Sequence, residues 1–326
     1  MSVDWQPGCS LQMLHLRAKM LQNIRKFFAE RSVLEVETPL LGSAIGTDPQ
    51  LDFFTTTFQW SPMQQKLFLQ TSPEFAMKRL LASGSGSIYQ ICKAFRNGES
   101  GRFHNPEFTM LEWYRVGYSL PELMSEIDEL MMQLFDGIKS FQPAEKITYQ
   151  AVFKSYTNLD PIAFSYEDYA AYARNHGISE AITICGQDQS AWLDFIFSHH
   201  IQPHLGWDSI CLIYGYPACF SSLARVNAEN SAITDRVELF IQGVELGNGY
   251  YELGDFKEQS SRFDREIAAR KASERPDIVK DNKLLAALEA GLPDCSGIAI
   301  GLDRVLMLLS ESASIDEVLS FSISRA

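Results

Sequence analysis

The segment from Phe95 to Tyr114 limits what this chain can fold into more than any other. It holds two arginines, Arg96 and Arg102, a glycine-centred turn (Gly98, Gly101), and an acidic, aromatic strand through Glu107, Phe108, Glu112 and Trp113. Arginine carries a fixed charge on a planar donor fork that matches phosphate oxygens, so Arg96, placed just before a tight turn, reads as a clamp for a nucleotide phosphate. A second constrained segment runs from Gly297 to Leu309. There Gly297 and Gly301 flank an apolar strand that enters a helix, with Asp303 expected to cap that helix and Arg304 to project from its first turn. Near the N-terminus, Leu14, Ala18, Leu21, Ile24 and Phe28 recur at three- and four-residue spacing, which predicts an amphipathic helix over 11–30. Val33 to Glu37 then alternates apolar and charged residues, as a half-buried strand ending at Pro39 would.

A third region, Val237 to Leu253, carries Glu245 and Glu252, seven residues apart with a Gly247-Asn248-Gly249 break between them. On an unbroken strand that odd spacing puts the two carboxylates on opposite faces, so the glycine break is expected to let them converge. Paired hard oxygen ligands of this kind suit Mg²⁺. Elsewhere, Leu67 to Glu74 reads as a strand giving way to a helix over 75–81. Ser83 to Ser87 is a flexible turn without the Gly-Lys ending of a phosphate-cradling loop. Residues 119–136 read as a helix with Ser119 and Glu122 as a capping box and Leu123, Ile127, Leu130 and Leu134 on one face. From about 140 to 205 the pattern is mainly helical and irregular, as in an insertion.

Composition narrows the function class. At 326 residues and 46% hydrophobic, the chain can form one large catalytic domain, 1–326. No run of eighteen apolar residues occurs and the N-terminus shows no cationic stretch followed by an apolar one, so a cytoplasmic protein is expected. The six cysteines form no Cys-x-x-Cys pair, which favours reduced, mostly buried thiols. His199, His200 and His204 are interrupted by Pro203 and lack a completing carboxylate or thiol, so they do not read as a metal set. The net charge of −13 lowers the odds of polynucleotide binding, because neutralising phosphates requires a basic face.

The Phe95–Tyr114 segment resembles the second signature motif of class II aminoacyl-tRNA synthetases, in the version of the lysyl enzymes and their shortened relatives. Gly297–Leu309 resembles the third motif and Phe27–Leu41 the first. The resemblance implies an α+β class II catalytic fold, an antiparallel β-sheet flanked by helices, with no N-terminal anticodon-binding domain, since the first motif begins near residue 20. It also implies a homodimer. The acidic net charge and the lack of that anticodon-binding domain argue against tRNA as a partner.

Carried over residue by residue, the resemblance gives ATP to Arg96, Asn97, Gly98, His104, Asn105, Phe108, Glu245, Leu246, Gly301 and Arg304, with Arg96, Glu245 and Arg304 catalytic. Mg²⁺ falls to Glu245 and Glu252. The amino-acid pocket falls to Ser72, Pro73, Glu74, Glu112, Tyr114, Asn248, Glu252 and Ala299, and its several carboxylates suit a substrate with two ammonium groups. Shortened lysyl-type relatives imply (R)-β-lysine as that substrate and elongation factor P as the protein acceptor. Ala299 stands where lysyl-tRNA synthetases usually have glycine, and its methyl group is expected to favour a β-amino acid. Gly98 stands where the family usually has glutamate, near the adenine amino group. Two rival readings are a compact class II ligase of the asparagine synthetase kind, whose pocket would need more cations, and a non-catalytic regulatory paralogue, which the retained Arg96, Glu245 and Arg304 disfavour.

Overall fold

The computed structural model describes residues 5–326; the N-terminal stretch read above for a leader begins outside them. Helix α1 (Leu11–Glu30) leads to β1 (Leu34–Glu35), β2 (Leu41–Gly42) and the hairpin β3 (Thr55–Trp60) and β4 (Met63–Leu69). Helix α2 (Glu74–Ala82), strands β5 (Ile88–Phe95) and β6 (Glu107–Val116), and helix α3 (Leu120–Phe135) follow. Next come β7 (Gln142–Thr148), helices α4 (Tyr149–Thr157), α5 (Tyr166–Asn175), α6 (Glu180–Cys185) and α7 (Gln189–Ile196), and strands β8 (Ser209–Pro217), β9 (Ile233–Ile241) and β10 (Val244–Tyr251). Helices α8 (Phe256–Ala272) and α9 (Asn282–Gly291), strand β11 (Cys295–Gly301) and helix α10 (Leu302–Ser310) complete the order. Contacts divide the chain into two compact units: one of the chain up to Tyr118 with Gln133–Ile138 and Gly254–Ala326, the other of Ser119–Met132 with Lys139–Leu253.

In the first unit β6 pairs antiparallel with both β5 and β11, and the short β1 runs parallel to β5. Side chains alternate across such strands. One face therefore carries Tyr89, Leu111, Trp113 and Ile298, and α1 covers it. Phe28 of α1 stacks on Tyr89 at 4.4 Å between ring centres and meets Trp113 edge-on at 5.4 Å. Each such buried aromatic contributes about 1.5–3 kcal/mol. Ser10 accepts from the Met13 amide at 3.2 Å to start α1, whose buried residues are Met20, Ile24, Phe27 and Phe28. Ala18, assigned above to the apolar stripe, is exposed, and Met20 and Phe27 take part instead. The opposite face carries Ile88, Gln90, Tyr114 and Ala299, and Met77 and Leu81 of α2 pack on Ile88, Tyr114 and Cys295 at one end of it. A separate three-stranded sheet, in the order β2-β4-β3, lies within the same unit.

In the second unit β8 pairs parallel with β7 and antiparallel with β9, and β9 pairs antiparallel with β10. Helices α4 to α7 pack an aromatic core over this sheet, centred on Tyr149, Phe153, Tyr169 and Trp192. The stretch expected to be mainly helical, 140–205, opens with strand β7 before these four helices. At Ser119 the amide donates to Glu122 at 2.7 Å, and Leu123, Ile127, Leu130 and Leu134 of α3 are buried, as the capping-box pattern predicts.

Candidate active site

The first unit presents its chemistry on the sheet face opposite α1. Register aligns Gln90, Glu112 and Ala299 in one row across β5, β6 and β11, and Ile88, Tyr114 and Gly297 in the next. Ala299 is thus the direct cross-strand neighbour of Glu112. The Tyr114 hydroxyl donates to Glu112 Oε1 at 2.7 Å, and both residues are nearly inaccessible, at 3% and 2% exposed. Gly297 is required here: a Cβ at this position would sit 2.3 Å from the Tyr114 ring. Gln90, which sequence reasoning missed, is 2% exposed, and its Oε1 has no hydrogen-bond partner. The signal available in sequence was its period-two position on β5, two residues before Cys92. Burial, then the Glu112 carboxylate, push the Cys92 thiol up to about 12, so it stays protonated at neutral pH and is no nucleophile.

The approach to this face is set by α2 and the strand before it. The Phe95 amide donates to Gln70 O at 3.0 Å, which places Ser72, Pro73 and Glu74 beside the end of β5, where Arg96 begins its loop. Ser72 Oγ accepts from the Glu74 amide at 3.2 Å. Glu74 pairs with Lys78 one turn on at 2.7 Å, and Lys78 is only 2% exposed. One carboxylate of the expected pocket therefore already faces a protein cation.

The loop from Arg96 to Pro106 leaves β5 and re-enters as β6. The Arg96 amide donates to Pro106 O at 2.9 Å, and Gly101 and His104 exchange backbone bonds at 3.1 and 3.2 Å around the tip. The Arg96 guanidinium lies 5.1 Å over the Phe108 ring and 3.7 Å from Glu99, and its Nε is buried without a hydrogen-bond partner. Gly98 has φ +81°, a conformation that favours glycine, so a glutamate there would be strained. Asn105 is 5% exposed and ties the loop down: its Nδ2 donates to Glu107 O at 2.6 Å, and its Oδ1 accepts from the Ile323 amide at 3.0 Å.

Strand β11 turns into α10 at Gly301, where no side chain caps the helix. Asp303, expected to be that cap, is instead 1% exposed in the first turn. It pairs with Arg17 of α1 at 2.5 Å and accepts from the Thr109 amide of β6 at 2.6 Å. A carboxylate engaged by a distant arginine and a strand amide pins α1, α10 and β6 together and is not available to its own helix. Arg304 does project toward the loop: its Nε donates to Phe103 O at 3.2 Å and its NH2 to His104 Nε2 at 2.7 Å. Accepting that bond needs an unprotonated Nε2, and desolvation, followed by the Arg304 charge, lowers the His104 pKa accordingly.

In the second unit, Glu245, Asn248 and Glu252 come from β10 and its exit. The break expected at Gly247-Asn248-Gly249 lies earlier: the register with β9 shifts between Glu245 and Gly247, so Leu246 is the extra residue, and neither glycine has positive φ. A one-residue bulge converts the odd spacing to an even one. Glu245, Asn248 and Tyr250 thus face the same way, opposite Phe240, Glu238 and Arg236, and Glu252 continues the alternation. Asn248 Nδ2 donates to the Tyr250 hydroxyl at 2.8 Å, while its Oδ1 is buried without a hydrogen-bond partner. Glu252 is 2% exposed, opposite Ala224, and Leu246 is equally buried. Burial works against the Arg236 cation on this face, but Glu238, Tyr250, Tyr216 and Glu245 more than offset it and hold it charged. Among the described residues no cluster of three or more His, Cys, Asp or Glu forms a metal cage.

Residues 3–325 match the family model of the class II tRNA synthetases (D, K and N). Among curated relatives, a protein of Haemophilus ducreyi is 42% identical over 99% of this chain and 98% of its own length. One from Klebsiella pneumoniae is 43% identical over 100% and 99%, and one from Proteus mirabilis 43% identical over 99% and 98%. Each of the three is named elongation factor P (R)-beta-lysine ligase.

Proposed function

This chain belongs to the class II tRNA synthetases of the D, K and N group, and we propose that it activates (R)-β-lysine with ATP and passes it to a lysine ε-amine of elongation factor P. It is an ATP-dependent, AMP-forming ligase. The observation that carries the reading is the 42–43% identity, along almost the whole chain, to relatives bearing that name.

Named residues take named parts. The substrate carboxylate attacks the α-phosphate of ATP and pyrophosphate leaves, giving an acyl adenylate. The acceptor ε-amine then attacks the acyl carbon, AMP leaves with the C–O bond pair and the amine gives up a proton to solvent. In the first step the protein supplies position and charge rather than a proton. Arg96 holds the α-phosphate and the attacking carboxylate, and Arg304 neutralises the far end of the triphosphate. Phe108, where the Arg96 fork now rests, stacks the adenine. Asn97, Gly98, His104, Asn105 and Gly301 shape the cradle, and Leu246, a bulge residue, contributes backbone. Glu245 and Glu252 would hold Mg²⁺, because carboxylates are the hard oxygen donors that ion takes. When bound, the ion neutralises phosphate charge.

The amino acid's two ammonium groups suit two buried carboxylates, each 2% exposed: Glu112 of the first unit, with the Gln90 acceptor oxygen and the Tyr114 hydroxyl on the same sheet face, and Glu252 of the second, with the buried Asn248 acceptor oxygen on its own strand segment. Desolvating a dication is costly unless each charge is paired, so this acidic set also selects against neutral amino acids. Ser72, Pro73 and the Lys78-paired Glu74 close one side, and the Ala299 methyl beside Glu112 narrows the space near the α-carbon. A homodimer through α1, β1 and the chain leading into β2 accounts for the apolar side chains exposed there, Leu11, Leu34, Leu40 and Leu41. No helix among the described residues is long and apolar enough to cross a membrane, and we assign the activity to the cytoplasm. The reading is tested by incubating the protein with ATP, Mg²⁺, (R)-β-lysine and elongation factor P and measuring the factor's intact mass. A gain of one lysyl unit, lost when the acceptor lysine is replaced, supports the reading, and an unchanged mass refutes it.

A further inference from the structure

The Arg96 loop is held at its mouth from outside the sheet. The Asn97 amide donates to Asp52 O at 3.0 Å, and the two residues form an isolated antiparallel bridge. Asp52 is itself fixed from the far end of α8. Its Oδ1 accepts from Arg275 NH1 at 2.8 Å, and the Arg275 amide bonds back to Arg270 O at 3.0 Å. Arg270, 2% exposed in the last turn of α8, donates NH1 to both Asp48 O and Leu51 O at 2.8 Å and lies 4.9 Å over the Phe53 ring. Thr47 is tied to Glu266 of the same helix. The end of α8 thus grips the chain from 47 to 53, and Asp52 passes that grip to Asn97.

We propose that the Arg275–Asp52 ion pair is a positioning device for the ATP loop: it fixes the Asp52 carbonyl, the carbonyl fixes Asn97 and Gly98, and they set where Arg96 points. This rests on the proposed function, in which that loop holds ATP. A purely structural role fits poorly. Arg275 is 30% and Asp52 47% exposed, and an ion pair so open to water adds little to stability. Its position one backbone hydrogen bond away from the loop is what gives it leverage. The buried Arg270 anchor is the stabilising part of the arrangement, and the exposed pair sets the register.

The test uses the full-length protein with Arg275→Asp, Asp52→Arg and the double exchange. Pyrophosphate exchange with (R)-β-lysine gives KM for ATP and for the amino acid, calorimetry gives Kd for ATP, and thermal unfolding gives Tm. An exposed ion pair shifts an equilibrium by up to about fivefold, so each single reversal is expected to raise KM and Kd for ATP by about that factor. The amino-acid KM and the Tm should stay put, and the double exchange should restore ATP binding. Unchanged ATP constants in the single variants, an equal loss in both KM values and Tm, or no restoration in the double exchange would overturn the proposal. If the wild type exchanges pyrophosphate with no amino acid, the proposed substrate fails, and the ATP Kd values of the same variants still decide this inference.

Discussion

Adding one methyl group at Gly297 should separate the pocket from the fold. A Cβ there would stand 2.3 Å from Tyr114 Cδ1, 2.5 Å from Cε1 and 3.0 Å from Trp113 O. The backbone oxygen cannot move far within the β6–β11 ladder, so the ring must. Reaching ordinary contact at 3.4 Å needs a retreat of about 1.1 Å from the present 2.3 Å. Behind the ring lie Met77, Leu81 and Ile88, so overpacking should cost about 1–3 kcal/mol and lower Tm by a few degrees. The shift also drags the hydroxyl whose 2.7 Å bond orients Glu112. Misplacing a substrate-holding group by 1 Å can cost about a hundredfold. Gly297→Ala is therefore expected to lose about two orders of magnitude in kcat/KM for (R)-β-lysine in pyrophosphate exchange, with KM for ATP little changed because the Arg96 loop lies apart from this row. Tyr114→Phe, which removes the hydroxyl and keeps the ring, should show a smaller loss without the drop in Tm. Retention of wild-type kcat/KM by Gly297→Ala, despite a lowered Tm, would refute the claim that Tyr114 sets the Glu112 carboxylate.

Ala299→Gly removes the methyl beside Glu112 and should shift preference toward α-lysine by roughly 10- to 200-fold, read as the ratio of kcat/KM for the two amino acids. Replacing Asp303 by Asn leaves Arg17 facing a neutral partner in a nearly inaccessible site and should cost about 3–5 kcal/mol in urea unfolding; an additive Arg17→Met, Asp303→Asn double variant would argue against a coupled pair. The His104 pKa is lowered from 6.5 in the folded protein, so its contribution is present above 6.5 and is lost as pH falls through the depressed value. KM for ATP should accordingly stay flat through 6.5 and rise only as pH falls through that depressed value, and a His104→Asn variant should lose that rise. If Glu245 is one of the two carboxylates proposed for Mg²⁺, Glu245→Gln should raise the Mg²⁺ concentration needed for half-maximal exchange by more than about tenfold.

Much of this arrangement was legible in the sequence because its chemistry is local. Arg96, the loop glycines and the acidic-aromatic strand are contiguous, and a strand entering a helix at Gly301 announces itself by apolar run and glycine. What escaped depends on distant partners. Asp303 looks like a helix cap until Arg17, far away in sequence, takes its carboxylate. Strand β7 escaped because its outward residues are polar and largely exposed; its pairing comes from the apolar β8, whose Ile210, Cys211, Leu212 and Ile213 are fully buried. Glu245 and Glu252 were expected to converge through glycine flexibility at 247–249, whereas the register of β10 shifts earlier, at Leu246, since a bulge needs only one extra residue and no particular side chain. Gln90 and Lys78 gain meaning only from register and burial, which no residue-by-residue reading supplies.

The most direct test of the central claim is pyrophosphate exchange by the purified protein with (R)-β-lysine, α-lysine and aspartate in parallel. The pocket described here predicts ATP-dependent exchange strongest with (R)-β-lysine, weaker with α-lysine and absent with aspartate. Exchange driven by aspartate, or by none of the three, would contradict it.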